Sequence, residues 1–163
     1  GISAFSLADD IKVSNAEAAQ YIATYLEKYD GVRSYMERVR KQAKENGYVT
    51  TLFGRRRYLP ELKSSNHNLR AFGERVALNT PIQGTAADIM KIAMVNVYAR
   101  LRREGLRSRL ILQIHDELIV ETALDERETV AALLREEMEN AAHLSVRLTA
   151  DVSSGRSWYE AKQ

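Results

Sequence analysis

The amino-acid sequence predicts an α+β fold in which helices pack on a small antiparallel sheet. Three observations support this class. Capping residues and apolar spacings of three and four mark helices along most of the chain. Two apolar runs, LILQI and LIVE, lie on either side of a His-Asp-Glu triplet, as the strands of a hairpin would. The run VRLTADV alternates apolar and polar residues, which predicts one more strand.

The first predicted helix begins at a capping box. In the stretch Ser14-Asn15-Ala16-Glu17 the serine hydroxyl and the glutamate carboxylate can satisfy free amides of the first turn. The helix is expected to continue to about Lys28. Three tyrosines at four-residue spacing share one of its faces, and we expect them to pack rather than to bind a ligand: Tyr21, Tyr25 and Tyr29.

A second helix is predicted from about Asp30 to Asn46, where Gly47 can take the left-handed cap. The stretch YVTTLF that follows is rich in β-branched and aromatic residues, and GRRRYLP reads as a turn and a second extended piece ended by Pro60. This pattern predicts a small hairpin with three arginines, Arg55 to Arg57, at its tip.

The next helix is expected to end at Asn79, because Thr80 and Pro81 suit the cap and first position of a new helix. The new helix should run to about Glu104, before Gly105. Its predicted buried stripe is Ile82, Ala86, Ile89, Ala93 and Val97.

After the His-Asp-Glu hairpin, Asp125 to Glu128 reads as another capping box, with a helix to about Ala142. The final predicted strand has one apolar face, formed by Val146, Leu148, Ala150 and Val152.

Composition restricts the class of protein. A chain of 163 residues with 45% hydrophobic and 28% charged residues is typical of one soluble globular domain. It has no bilayer-length apolar run and no signal peptide, so we expect a cytoplasmic protein without a membrane partner. Zero cysteines and three scattered histidines exclude thiolate and paired-histidine zinc sites, so any metal should be bound by oxygen. A start at Gly1 instead of methionine suggests a fragment or a processed product.

Charge is unevenly distributed behind a formal net charge of +2. Residues 33–63 hold nine Lys or Arg against three Glu, whereas residues 125–139 hold six acids against two Arg. A basic lobe of this kind could bind a polyanion such as nucleic acid. The alternative, which charge alone favours, is two solvated helix faces.

Asp116 and Glu117 are candidate metal ligands at the hairpin turn. Apolar residues on both faces near the turn predict a hairpin that is covered on both sides. Two adjacent carboxylates repel each other and resist desolvation there, unless a cation lies between them. Mg²⁺ fits, because it prefers oxygen ligands and binds through one or two carboxylates at a cleft. The alternative is a solvated turn.

The stretch QIHDELIVE resembles the third polymerase motif of family A DNA polymerases, the bacterial DNA polymerase I type. Three more stretches resemble that family in the same order, and the match covers essentially the whole chain: GYVTTLFGRRRYLP, ERVALNTPIQGTAADIMK and GRSWYEAK. A lone triplet would be weak evidence, but four long motifs in register are specific.

The resemblance implies template-directed DNA synthesis, in which a primer 3′-hydroxyl is joined to the α-phosphate of an incoming deoxynucleotide with two Mg²⁺ ions. By this resemblance Asp116 is a catalytic metal ligand and Glu117 its neighbouring catalytic carboxylate, also at the metal site, with a supporting role. His115 matches a residue that approaches the primer terminus.

Three further residues match family positions that contact template and primer DNA: Arg75, Asn79 and Gln83. Their spacing puts them on one face if the helix is continuous, although Pro81 favours a bend. Long polar side chains there suit minor-groove edges, which check pairing without reading sequence. The alternatives are a salt bridge of Arg75 with Glu74 or Glu104, and a helix-capping role for Asn79. Arg55 to Arg57 could contact DNA phosphates or hold the protein together through carboxylates.

The chain also departs from the family pattern. Only the end of the nucleotide-binding helix, GISAF, is present, and the family's upstream palm aspartate has no counterpart. The resemblance therefore implies the C-terminal part of a polymerase, with residues 1–80 as partial fingers and residues 81–163 as the second half of the palm. Alone, the chain is expected to be inactive without its missing N-terminal portion.

Two further expectations concern partners. A hairpin strand that lacks its palm neighbours would expose a sheet edge, a route to self-association. In the alternative functional class, the chain is a noncatalytic nucleic-acid-binding or assembly module that uses residues 33–63.

Overall fold

A computed structural model describes residues 2–162 and confirms the α+β class. The helices are α1 (Ala4–Ile11), α2 (Asn15–Lys28), α3 (Asp30–Asn46), α4 (His67–Arg103), α5 (Arg127–Glu139) and α6 (Trp158–Ala161). The strands are β1 (Tyr48–Thr50), β2 (Arg56–Tyr58), β3 (Arg109–Ile114) and β4 (Glu117–Glu121). Two compact units divide the chain, Gly1–Thr85 and Ala86–Gln163. Within residues 2–162, no helix combines the length and the apolar character that crossing a bilayer requires.

The predicted capping box of α2 is confirmed. The Glu17 amide donates to Ser14 Oγ at 3.2 Å, and the Ser14 amide donates to Glu17 Oε2 at 3.0 Å. The Ser14 hydroxyl also donates to Glu17 Oε2 at 2.7 Å, and this bond, followed by that from the Ser14 amide, lowers the pKa of the Glu17 carboxyl group. The tyrosines do not pack into the core, because Tyr21, Tyr25 and Tyr29 are all exposed and α2 turns Ala18 inward instead. The Tyr25 and Tyr29 rings pack on each other, with 4.9 Å between their centres.

The end of α3 and the first hairpin follow the prediction. The Gly47 amide donates to Ala43 O at 2.9 Å, and Gly47 has a left-handed backbone (φ 76°). Strands β1 and β2 then pair antiparallel, with Tyr48 opposite Tyr58. Two of the three arginines lie on β2 rather than at the tip, which residues 52–54 form. The core of this unit contains Val39, Ala43, Val49, Leu59, Ala77 and Leu78.

Helix α4 is continuous through Pro81, so the predicted break after Asn79 is wrong. A proline inside a helix removes one backbone hydrogen bond, but tertiary contacts can override that local preference. Here the turn after β1 holds the residues that follow Pro81. The Leu52 amide donates to Thr85 Oγ1 at 2.9 Å, and Thr85 Oγ1 donates to Pro81 O at 2.5 Å.

Gly84 makes this docking possible. A Cβ atom at Gly84 would lie 2.7 Å from Thr51 Cγ2, closer than two carbon atoms can approach. The Arg55 guanidinium donates to Gly84 O at 3.1 Å on the same side. The stretch with the weakest helical preference in α4 is therefore also the one that the first hairpin supports.

Only part of the predicted apolar stripe of α4 is buried. Ala93 and Val97 are buried, whereas Ile82 is 63% exposed and Ala86 is also exposed. The reason is that the core of the second unit engages α4 at Val97 and Leu101, beyond these positions. Val130 and Leu133 of α5 complete that core, and side chains of the second hairpin pack against it.

The second hairpin, β3 with β4, contains a β-bulge. Leu110 lies opposite Val120 and Leu112 opposite Ile119, so Ile111 is the extra residue. The bulge interrupts the alternation of faces along β3, and Ile111 and Leu112 are 58% and 45% exposed. The expected cover on both faces is therefore wrong for β3 within the described residues.

The capping box predicted at Asp125 does not form. Residues Leu124–Glu126 make a 3-10 turn, and Glu126 precedes α5 without a side-chain cap bond. Both acids are engaged elsewhere, because Asp125 is paired with Arg107 and Glu126 accepts from Arg107 and Ser108. The carboxylates of Asp125 and Glu126 are therefore engaged by residues distant in sequence and do not cap α5.

The last predicted strand, residues 146–152, is irregular, and α5 ends at Glu139 rather than Ala142. The backbone of residues 146–152 forms hydrogen bonds with side chains of α5 and not with a neighbouring strand. The Ala150 amide donates to Glu139 Oε1 at 3.2 Å, and Arg135 Nε donates to Ala150 O at 3.4 Å. Val146, expected on the buried face, is 75% exposed.

Glu126 should make stability depend on acid pH. Its carboxylate accepts four bonds, from the amide and Nε of Arg107 and from the amide and Oγ of Ser108. The Arg107 amide, followed by the Ser108 hydroxyl, lowers the pKa of Glu126 from 4.5 to about 2. A depressed folded pKa stabilises the fold above pH 4.5, and that contribution is lost as the pH falls toward 2.

We therefore expect Glu126→Gln to lower the unfolding midpoint at pH 7, with the difference from wild type shrinking between pH 4.5 and 2. Thermal unfolding followed by circular dichroism over this pH range measures the difference in midpoint. Glu121→Gln, at an exposed strand end, is the control and should leave the midpoint nearly unchanged. A Glu126→Gln deficit that stays constant down to pH 2 would contradict the assignment.

Candidate active site

The His-Asp-Glu triplet lies at the turn of the second hairpin. Ile114 and Glu117 form its last residue pair, which leaves His115 and Asp116 as a two-residue loop. Gln113 Nε2 donates to His115 O at 2.8 Å and fixes the start of the loop. The hairpin thus brings all three predicted residues to one end.

His115 has a left-handed backbone, with φ 51°. In two-residue hairpin loops this region is usually occupied by glycine or asparagine, because a larger side chain crowds the following carbonyl. Non-glycine residues in such strained conformations cluster at functional sites. The exposed imidazole is therefore held at the loop against local preference, which supports a role beyond folding.

The two carboxylates have different environments. The Asp116 side chain is exposed and, among residues 2–162, forms no hydrogen bond or ion pair. Glu117 is half-buried, and its Oε1 lies 2.9 Å from Lys162 Nζ. Its other oxygen, Oε2, is buried without a hydrogen-bond partner in the described part of the chain. Asp116 is the more available ligand, and Glu117 is largely engaged by the protein itself.

A divalent cation fits the donor set only in part. Mg²⁺ in phosphate chemistry binds through one or two carboxylates, with water and phosphate oxygens completing its shell. Asp116 meets this requirement, while Glu117 would have to share its carboxylate with Lys162. Groups of three or more histidine and acidic residues suited to a metal are absent from residues 2–162. A complete site would need further ligands.

The other predicted contact residues lie on α4, in the first unit. Arg75, Asn79 and Gln83 are spaced by four residues along a continuous helix, so they share a face, and all three are exposed. Asn79 is inside the helix, which removes the capping alternative. These residues and the His115 loop belong to different units.

The salt bridges considered for Arg75 are not formed. Glu74 pairs with Lys44, with 2.7 Å between Oε1 and Nζ, and this pairing lowers the pKa of Glu74. Glu104 pairs with Arg100 at 2.8 Å. The Arg75 guanidinium instead lies 6.0 Å from the centre of the Phe72 ring, and the residue is exposed.

The arginines of the first hairpin act partly within the protein. Arg55 donates to Gly84 O, and the Arg56 guanidinium lies 4.8 Å from the centre of the Tyr48 ring. All three remain exposed.

Two residues at this site were not singled out from the sequence. Lys162 reaches Glu117, and its Nζ lies 4.9 Å from the centre of the Trp158 ring. The signal that could have indicated them is the four-residue spacing of Trp158 and Lys162, which puts both on one face of a helical turn. The acidic partner, 45 positions earlier in the chain, carries no such local signal.

Comparison with known proteins shows what this chain is similar to. Residues 1–160 match the model of DNA polymerase family A. The DNA polymerase I of Caldicellulosiruptor bescii is 49% identical over 162 residues, and that of Bacillus caldotenax is 51% identical. Each alignment covers 99% of this chain but only 19% and 18% of the relative. The chain thus spans about a fifth of the length of these curated relatives.

A solved structure has the same fold. It is described as the POL domain of Pol1 from M. smegmatis in complex with DNA primer-template and dNTP. It superposes with a TM-score of 0.95 at 48% sequence identity, covering 100% of this chain and 29% of that chain. The two units described here therefore correspond to one part of a larger polymerase domain.

Proposed function

This chain belongs to DNA polymerase family A, and from that membership we propose that it supplies part of the site where a longer enzyme adds deoxynucleotides to a primer 3′-hydroxyl. That enzyme is called the parent polymerase below. The observation that carries the proposal is the family match over residues 1–160, with the exposed Asp116 at the turn of the second hairpin. We place the reaction in the cytoplasm, with primer-template DNA and dNTP as partners.

In this proposal Asp116 is a metal ligand and Glu117 is a supporting carboxylate beside it. Divalent cations such as Mg²⁺, when bound, would stabilise the attacking and leaving oxygens of phosphoryl transfer. The chain contributes one carboxylate with free oxygens, and an aspartate outside this chain would complete the site. His115 can donate a hydrogen bond to a phosphate or sugar oxygen of the primer end.

Arg75, Asn79 and Gln83 would contact the paired bases or backbone of the primer-template. Three exposed donors on one helical face suit the minor groove, whose acceptors occur in every base pair. Residues 1–80 would then belong to the fingers and residues 81–163 to the palm. The compact units divide slightly later, after Thr85.

Gln83→Ala in the parent polymerase is expected to weaken primer-template binding about 5- to 10-fold, as loss of one or two hydrogen bonds at an interface would. The catalytic rate at saturating DNA should change less. Fluorescence anisotropy of labelled primer-template measures the affinity, and single-turnover extension measures the rate. Gln20→Ala is the matched control, because Gln20 is an exposed amide on α2. Equal affinities for the two variants would remove Gln83 from the proposed contact.

The pure 163-residue chain is expected to show no Mg²⁺-dependent primer extension, because it contains only one of the two metal-binding aspartates that we propose. Extension of a labelled primer, resolved on a denaturing gel, tests this, with the parent polymerase as the positive control. A measurable rate of primer extension by the chain alone would refute the proposal that it holds only part of the metal site.

A further inference from the structure

The closing motif GRSWYEAK, residues 155–162, has no role in the function proposed above. It forms a single helical turn, α6, whose start is fixed from both sides. The Glu160 amide donates to Ser157 Oγ at 3.3 Å, and the Arg156 amide donates to Glu160 Oε2 at 2.9 Å. The Ser157 hydroxyl caps the first turn, and the Glu160 carboxylate binds the residue before the cap to the same turn.

Gly155 lets the chain pack tightly on this turn. A Cβ atom at Gly155 would lie 2.7 Å from the Ala161 amide nitrogen and 2.8 Å from Glu160 Cβ. Backbone cannot give way at such distances as the end of a long side chain can. Any side chain at position 155 would therefore displace α6, so the segment before the turn also fixes its place.

The feature held by this arrangement is the ammonium group of Lys162. It lies 4.9 Å from the centre of the Trp158 ring and 2.9 Å from Glu117 Oε1. The Trp158 ring restricts the positions of the flexible lysine side chain, and the Glu117 carboxylate of β4 pairs with its positive charge. The end of the chain is thereby joined to the hairpin that carries the candidate metal ligand.

This contact separates the roles of two adjacent acids. Lys162 neutralises Glu117 and occupies one of its oxygens, while the other oxygen is buried. Asp116, the next residue, is exposed and outside that pair. Without the lysine, two uncompensated carboxylates would face the same cation, and Glu117 would be free to rotate toward it.

We propose that Lys162, set in place by Trp158, is a positioning residue that ties Glu117 to the protein and leaves Asp116 as the ligand for the catalytic cation. The inference rests on the function proposed above and adds a residue to that site. Lys162 does not touch the substrate in this proposal. It acts through Glu117, by charge and by geometry.

The test uses Lys162→Met in the parent polymerase. Removing Lys162 releases the Glu117 carboxylate to join the shell of the cation, so the half-saturating Mg²⁺ concentration should fall about threefold or more. The turnover number should fall about tenfold, because Glu117 then competes for the ion in an unproductive arrangement. Lys162→Arg should restore both values to within about threefold, since it keeps the charge at similar reach.

A second readout needs no turnover. With a primer ended by a 2′,3′-dideoxynucleotide, dNTP binding can be followed as a function of Mg²⁺ concentration, and Lys162→Met should again shift the half-saturating value downward. In the Glu117→Gln background the same lysine change should shift it less than about twofold, because the partner is already neutral. A full-size shift in that background would overturn the proposal.

The control variant is Arg147→Met, which removes another ion pair of the same unit, between the exposed Arg147 and the mostly covered Glu139. Both basic side chains are more than half exposed, so both variants should unfold within about 2 °C of wild type. If Lys162→Met and Arg147→Met give the same Mg²⁺ dependence, Lys162 has no positioning role. If Lys162→Met fails to fold, the half-saturating Mg²⁺ concentration is measured in the same way for Glu117→Gln and Lys162→Arg, and these two variants test the proposal.

The 163-residue chain allows a direct check of the contact, because Trp158 is its only tryptophan. Glu117→Gln should release Lys162 and increase the quenching of Trp158 fluorescence by acrylamide, whereas Glu121→Gln on the same strand should not. Identical quenching in the two variants would contradict the contact. Failure of the Lys162 tests while Asp116→Ala still abolishes synthesis would reject this inference alone; synthesis by Asp116→Ala would reject the proposed function.

Discussion

Asp116→Ala in the parent polymerase should lower the rate of nucleotide addition by about a thousandfold or more, while primer-template affinity stays within a few-fold. Asp116 is the carboxylate of the hairpin turn that is exposed and unengaged within residues 2–162, so its loss removes the ligand that the chain offers to the cation. The residues proposed to bind DNA are unchanged in this variant, which is why binding and chemistry should separate.

Single-turnover extension with DNA bound in advance measures the chemical step, and anisotropy with labelled primer-template measures binding. Asp151→Ala is the control, because Asp151 is an exposed aspartate of the same unit outside the hairpin. A large loss of DNA affinity with an intact rate would assign Asp116 to DNA anchoring. A rate equal to that of Asp151→Ala would remove it from the active site.

Leu133→Ala should destabilise the second unit by about 3 kcal/mol, the usual cost of a cavity left by a fully buried leucine. Leu133 is 1% exposed and belongs to the core formed with Val97, Leu101 and Val130. Leu110, Leu118 and Val120 of the second hairpin pack against this core. The loss should therefore also loosen the strands that present His115 and Asp116.

Urea unfolding of the 163-residue chain measures this change. Leu124→Ala is a matched control, because Leu124 is 94% exposed and its truncation should change the unfolding free energy by less than about 0.5 kcal/mol. Similar values for the two leucines would mean that Leu133 is not in a packed core in solution. Hydrogen exchange of β3 and β4 amides should rise in Leu133→Ala and remain unchanged in Leu124→Ala.

Features decided by neighbouring residues could be predicted from the sequence. The capping box at Ser14, the end of α3 at Gly47 and both hairpins need only groups a few residues apart. The His115 turn follows from the short spacing between two apolar runs. The spacing of four predicts the shared face of Arg75, Asn79 and Gln83 only for a continuous helix, and continuity through Pro81 is what the structure adds.

Features decided by distant contacts could not be predicted from the sequence. The sequence around Pro81 predicts a helix start, yet the helix is continuous there and a hydrogen bond from the first hairpin supports it. The alternation of residues 146–152 predicts a strand, yet the Ala150 backbone bonds to side chains of α5. The pair between Lys162 and Glu117 is of the same kind, since no local pattern connects the two.

Under the proposed role of His115 at the primer end, its left-handed backbone makes folding and catalysis favour different residues at one position. Glycine reaches that conformation without crowding, but it carries no group that could touch a primer. Directed evolution that selects only for heat resistance would therefore drift toward glycine at this loop and lose the imidazole. A stabilised polymerase obtained in that way should be screened for synthesis at every round.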